Sequence, residues 1–96
     1  IDVTAATQKG VVVVNSPEGN TLAAAELAVA LLLSLARGVP QANASLHAGR
    51  WERKRFVGTE LYGKTVGVVG LGKIGRAVAQ RMRGFDVTLV AYDPFG

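Results

Sequence analysis

The 96-residue sequence carries eleven Lys and Arg against seven Asp and Glu, a net charge of +4, with 49% hydrophobic and 19% charged residues. That apolar content excludes a disordered chain and predicts one globular domain burying roughly 65% of its extended surface. Cysteine is absent and His47 is the sole histidine, which excludes disulfide scaffolds, thiolate zinc sites, cysteine nucleophiles and histidine metal clusters.

At the N-terminus, Asp2 is placed to cap a short helix, Val3 to Lys9, ended by Gly10. The unbroken β-branched run Val11 to Val14 predicts a strand buried on both faces. Asn15 to Asn20, punctuated by Pro17 and Gly19, reads as a loop. Asn20 or Thr21 then caps a helix reaching Arg37. Its residues Leu22, Leu27, Val29, Leu31, Leu32, Leu33 and Leu35 make it apolar nearly all round, so it needs partners on several sides.

This apolar run, Leu22 to Ala36, is about 15 residues and is broken by Glu26 and Ser34, whereas a bilayer span takes about 20. No basic segment precedes it as a signal peptide would require, so the expectation is a cytoplasmic protein with no membrane role. Glu26 is expected to be structural, either hydrogen-bonded or exposed near the helix start.

Gly38 stops the long helix, and Pro40 opens a second one, Gln41 to Ala48, ended by Gly49. His47 reads as a residue on the surface of that helix. Arg50 to Gly63 is an irregular, charged arm anchored by Trp51 and Phe56. Its basic residues read as a solvated arm with a buried Trp51 rather than a nucleic-acid surface.

The last third has the clearest periodicity. Thr65 to Val69 predicts a buried strand. From Ile74, apolar residues recur at Ala77, Val78, Met82 and Phe85, which is helical spacing along one face. Either Gly84 ends this helix or Asp86 turns left-handed, a conformation that Asp tolerates. Val87 to Ala91 predicts a second strand, completing a βαβ unit.

Between the first strand and its helix stands Gly70-Leu71-Gly72-Lys73-Ile74-Gly75, and Asp93 follows about 18 residues after Gly75. The GxGxxG pattern alone is weak. In the setting strand, helix, strand, acid, it is a dinucleotide-binding fingerprint. Gly70 permits the tight turn, Gly72 lets the backbone approach a pyrophosphate, and Gly75 lets the helix pack close. The amides of the first helical turn, around Lys73 and Ile74, suit the phosphates. Asp93 suits both hydroxyls of the adenine ribose and repels a 2′-phosphate, so NAD is favoured over NADP.

Asn15-Ser16-Pro17, Asn20, Ala25-Glu26, Gly49-Arg50-Trp51, Gly63-Lys64-Thr65, the Gly70 to Gly75 turn and Tyr92-Asp93-Pro94 form a series that resembles the D-2-hydroxyacid dehydrogenases. Trp51 to Leu61 is similar to the connecting segment of one branch that acts on a phosphorylated hydroxy acid. The resemblance implies an α/β Rossmann-like nucleotide-binding unit with a long apolar helix, a fragment of a two-domain, doubly wound oxidoreductase. Residues 1–15 would end a substrate-domain segment, 16–20 would be the hinge, and 21–96 would begin the NAD-binding domain. The start at Ile1 and the stop soon after a strand fit such a piece. The resemblance also implies a homodimer formed through the long helix and the arm. Its catalytic arginine, glutamate and histidine would lie downstream, leaving no catalytic residue here and only cofactor contacts at Gly70, Gly72, Lys73, Ile74, Gly75 and Asp93. An NAD-sensing corepressor without turnover is the alternative.

Overall fold

In the computed structural model, residues 1–15 and 19–95 are described, so Ser16, Pro17 and Glu18 of the expected hinge lie outside the described residues. Asp2 caps helix α1, Val3–Gln8, by accepting the Ala5 N–H at 2.9 Å. The chain beyond it departs from expectation. Val11 to Val14 forms no strand; Val12 and Val14 are 83% and 82% exposed. A β-branched run favours extended backbone, but a strand also needs a neighbouring ladder, and no described strand pairs with this one.

Helix α2, Thr21–Arg37, starts at Asn20, which caps it without a side-chain hydrogen bond. Gly38 ends it in the left-handed conformation, its N–H donating to the Ser34 carbonyl. Helix α3, Val39–His47, follows directly with Pro40 in its first turn, starting two residues earlier than the sequence suggests. Among the described residues no single helix is long and apolar enough to cross a membrane, and α2 and α3 are bent by 61° from one another.

The arm contains a 3-10 turn, Arg53–Phe56, and folds back so that the Thr59 N–H donates to the Ala36 carbonyl at 2.9 Å. That bond satisfies a carbonyl left open at the end of α2. Glu52 organises the arm: it accepts from the buried Ser45 hydroxyl at 3.1 Å and from Arg55 Nη1 at 3.0 Å. Arg55 also lies 5.1 Å from the Phe56 ring centroid, within cation–π reach. Trp51 is not the buried anchor expected; it is 76% exposed at the rim of an open cavity of about 450 Å³.

Strands β1, Thr65–Val69, and β2, Thr88–Tyr92, pair in parallel, with Thr65 opposite Thr88 and Val69 opposite Tyr92. Between them lie α4, Lys73–Met82, and a 3-10 turn, Arg83–Phe85. The α-helix stops three residues short of Phe85, and the turn closes at Asp86 with φ 56°, so the left-handed aspartate is the alternative that this sequence uses. The core lies where α4 meets α2: Ala25 and Met82 are fully buried and Ala77 nearly so.

That core is far smaller than a globular domain of this length would have. The radius of gyration is 19.7 Å, against about 12.5 Å for a compact chain of this length. The surface measures 7706 Å², against roughly 5,200 Å² for a compact monomer. β1 is half exposed rather than buried, because one sheet of two strands cannot cover both its faces. The outer face of α2 is open as well, with Leu27, Leu31 and Leu35 at 59%, 60% and 81% exposure.

Candidate functional site

The crossover from β1 into α4 is built by three glycines with three different duties. The ladder extends one residue past β1, where the Gly70 N–H donates to the Tyr92 carbonyl at 2.7 Å. Gly70 then turns the chain with φ +98°, which a side chain rarely tolerates. Gly72, extended at φ −71° and ψ −168°, is the N-cap of α4, and its carbonyl accepts the Arg76 N–H at 3.0 Å. The first-turn N–H groups around Lys73 and Ile74 point out of the helix N-terminus, and the helix dipole gives this end a partial positive charge.

Gly72 and Gly75 differ in what surrounds them. A Cβ on Gly75 would collide with the Gly70 carbonyl oxygen, lie 3.1 Å from its carbonyl carbon, and touch Val68 Cγ1 at 3.6 Å. A Cβ on Gly72 would meet no atom of the described residues within 4 Å. Gly75 therefore serves the packing of helix against strand, while no described residue fills the space that Gly72 leaves open. An open, amide-lined space at a helix N-terminus fits a pyrophosphate.

Asp93, one residue beyond β2, faces this turn. Its Oδ2 accepts the Leu71 N–H at 2.9 Å and its Oδ1 accepts the Phe95 N–H at 2.9 Å. These two N–H donors, Phe95 first, hold its carboxyl below the usual aspartate range; the Arg76 charge adds to this, and desolvation opposes it. Arg76 also lines a cleft of about 250 Å³ with Leu71, Ala79, Gln80, Arg83 and Leu89. Each oxygen of Asp93 keeps acceptor capacity for a second donor.

The structure thus brings Gly70, Gly72, Lys73, Ile74, Gly75 and Asp93 into one crossover. Sequence reasoning missed Leu71 and Arg76. Arg76 sits one helical turn past Gly72, a spacing that was available to find it; the role of Leu71 lies in its backbone and leaves no trace in side-chain type. His47 and Glu26 are exposed on α3 and α2, outside the crossover.

Comparison with known proteins agrees with this geometry. Residues 29–96 match the family described as D-isomer specific 2-hydroxyacid dehydrogenase, NAD binding domain. The chain is 61% identical over 95 residues to D-3-phosphoglycerate dehydrogenase of Synechocystis, covering 99% of this chain and 17% of that protein. It is 57% identical over 94 residues to the Rattus norvegicus protein of the same name, covering 98% and 18%. Among solved structures, the TT0316 protein of Thermus thermophilus superposes with a TM-score of 0.88 at 37% identity, over 98% of this chain and 31% of that one. An NAD-dependent formate dehydrogenase of Staphylococcus aureus, solved in complex with NAD, gives 0.81 at 38%, over 97% and 29%. The chain spans less than a fifth of the length of those curated relatives. It belongs to the D-isomer specific 2-hydroxyacid dehydrogenase family and carries sequence of that family's NAD-binding domain.

Proposed function

We propose that this chain holds the adenosine and pyrophosphate part of NAD within an enzyme that oxidises 3-phosphoglycerate to 3-phosphohydroxypyruvate, the entry to serine biosynthesis. The observation that carries the cofactor part is the contrast at the turn: among the described residues, neighbours crowd the Cβ position of Gly75 and none reaches that of Gly72. In this reading the amides after Gly72 hold the pyrophosphate, Gly70 shapes the turn, and Asp93 accepts from the adenine ribose. NAD supplies the hydride acceptor for the oxidation. The chain's own residues bind and orient the nucleotide.

The substrate part rests on relatives that carry the name D-3-phosphoglycerate dehydrogenase at more than half identity. None of the relatives described above favours the NAD-sensing alternative. The reading includes a domain that begins near Thr21, a hinge over 16–20, a cytoplasmic location and a homodimer. The dimer is supported by the open apolar face of α2, since a contiguous exposed apolar patch marks an interaction surface.

Two measurements test it. The full-length protein should turn over 3-phosphoglycerate with NAD faster than D-lactate or formate; a preference for either of these would refute the substrate. It should also bind NAD in preference to NADP, and Asp93→Ala should narrow that preference by roughly tenfold, the effect of losing a charged acceptor. Equal affinity for the two cofactors before mutation would refute the role of Asp93.

A further inference from the structure

The carboxylate of Asp93 is bonded across the crossover. Its Oδ2 takes the N–H of Leu71, the residue between Gly70 and Gly72, while its Oδ1 takes the N–H of Phe95 in its own turn. Leu71 stands where the chain has left the ladder after Gly70 and has not yet entered α4 at Lys73. Among the described hydrogen bonds, the one that the Leu71 N–H donates to Asp93 Oδ2 is what holds it there.

We infer that Asp93 is a positioning residue for the phosphate turn as well as a ribose acceptor, fixing the Gly70–Leu71–Gly72 backbone so that the amides after Gly72 are aligned before the nucleotide binds. The inference rests on the NAD-binding reading and deepens it. A turn tied at its middle loses little conformational entropy on binding, whereas a free glycine-rich turn loses more. The bonds to ribose and to the turn come from one carboxylate, so the two halves of the nucleotide site act as one unit. The depressed carboxyl of Asp93 agrees, since bonding to backbone N–H groups favours the charged form.

The test separates the two duties with a pair of probes on the full-length protein, ADP and 2′,3′-dideoxy-ADP. The second has the pyrophosphate but no ribose hydroxyls. Asp93→Ala should weaken 2′,3′-dideoxy-ADP by roughly tenfold, the loss expected for a charge-assisted bond that holds the binding conformation. Unchanged affinity for 2′,3′-dideoxy-ADP would overturn the positioning role. The ribose role is read separately, as a preference of the unmutated protein for ADP over the dideoxy probe, so either duty can fail alone. A second measurement needs no variant and so survives a folding failure. With Leu and Phe labelled by nitrogen-15, the Leu71 and Phe95 amide resonances should move together as acid protonates Asp93. A Leu71 resonance that stays flat while that of Phe95 moves would also overturn the inference.

Discussion

The carbonyl oxygen of Gly70 occupies the space that a Cβ on Gly75 would need, so the sixth position of the motif is confined to glycine by the first. The contact lets α4 sit directly on the end of β1, with its N-terminus aimed past Gly72. Packing and cofactor approach are thus served by different glycines of one short motif, and substitutions should separate them.

Gly75→Ala must displace backbone, which cannot yield as a side-chain tip can. It should cost about 1–3 kcal/mol, as overpacking does, read from the shift in denaturant midpoint. Gly72→Ala should cost about 1 kcal/mol or less, the difference between Gly and Ala as an N-cap. Yet Gly72→Ala should weaken NAD by about tenfold or more, about 1.4 kcal/mol. Equal stability losses for the two variants would contradict the division of labour.

Acid should loosen both carboxylate-centred clusters. Glu52 is held below the usual glutamate range, first by its hydrogen bond from Arg55, then by Ser45 and by the charges of Arg55 and Arg50, against desolvation. A carboxyl depressed in the folded state stabilises fully above its unfolded value and loses that stability as pH falls through its folded value. The full-length protein should therefore lose stability below the ordinary carboxylate range, and Glu52→Gln should flatten part of that limb. Denaturant midpoints measured down the acid range check it; parallel curves for the two proteins would contradict it.

The apolar face of α2 offers a direct test of assembly. Leu27 and Leu31 are exposed and one helical turn apart. As surface residues, each should tolerate Glu within about 0.5 kcal/mol in an isolated subunit. In a dimer formed over this face, Leu31→Glu would bury a charge and should convert dimer to monomer in light scattering. An unchanged dimer would place the interface elsewhere.

The 96 residues alone should catalyse no hydride transfer. The reaction needs a group to exchange the hydroxyl proton and a cation to hold the substrate carboxylate. The sole histidine, His47, is exposed near the end of α3 rather than in the crossover. Purified chain mixed with 3-phosphoglycerate and NAD should produce no NADH absorbance. Turnover that follows the chain through purification and is lost in Gly72→Val would contradict this.

The βαβ unit, the Gly70 to Gly75 turn and the place of Asp93 after the second strand were legible in the sequence, because local rules set each of them. Helical spacing from Ile74 to Met82, a β-branched strand before it and glycine at fixed offsets act over a few residues, and no distant partner is needed to read them. The stop of α2 at Gly38 was legible for the same reason. What lay beyond local rules was decided by tertiary contact. Val11 to Val14 has the composition of a strand, but pairing requires a neighbour, and none of the described strands lies beside it. Trp51 looks like a core residue by type and is exposed, because burial depends on which surfaces meet. The bond from the Leu71 N–H to Asp93 belongs to the same class. It joins residues far apart in the chain through a backbone donor that every residue but proline carries, so only the parallel pairing that carries Asp93 back to the turn could reveal it.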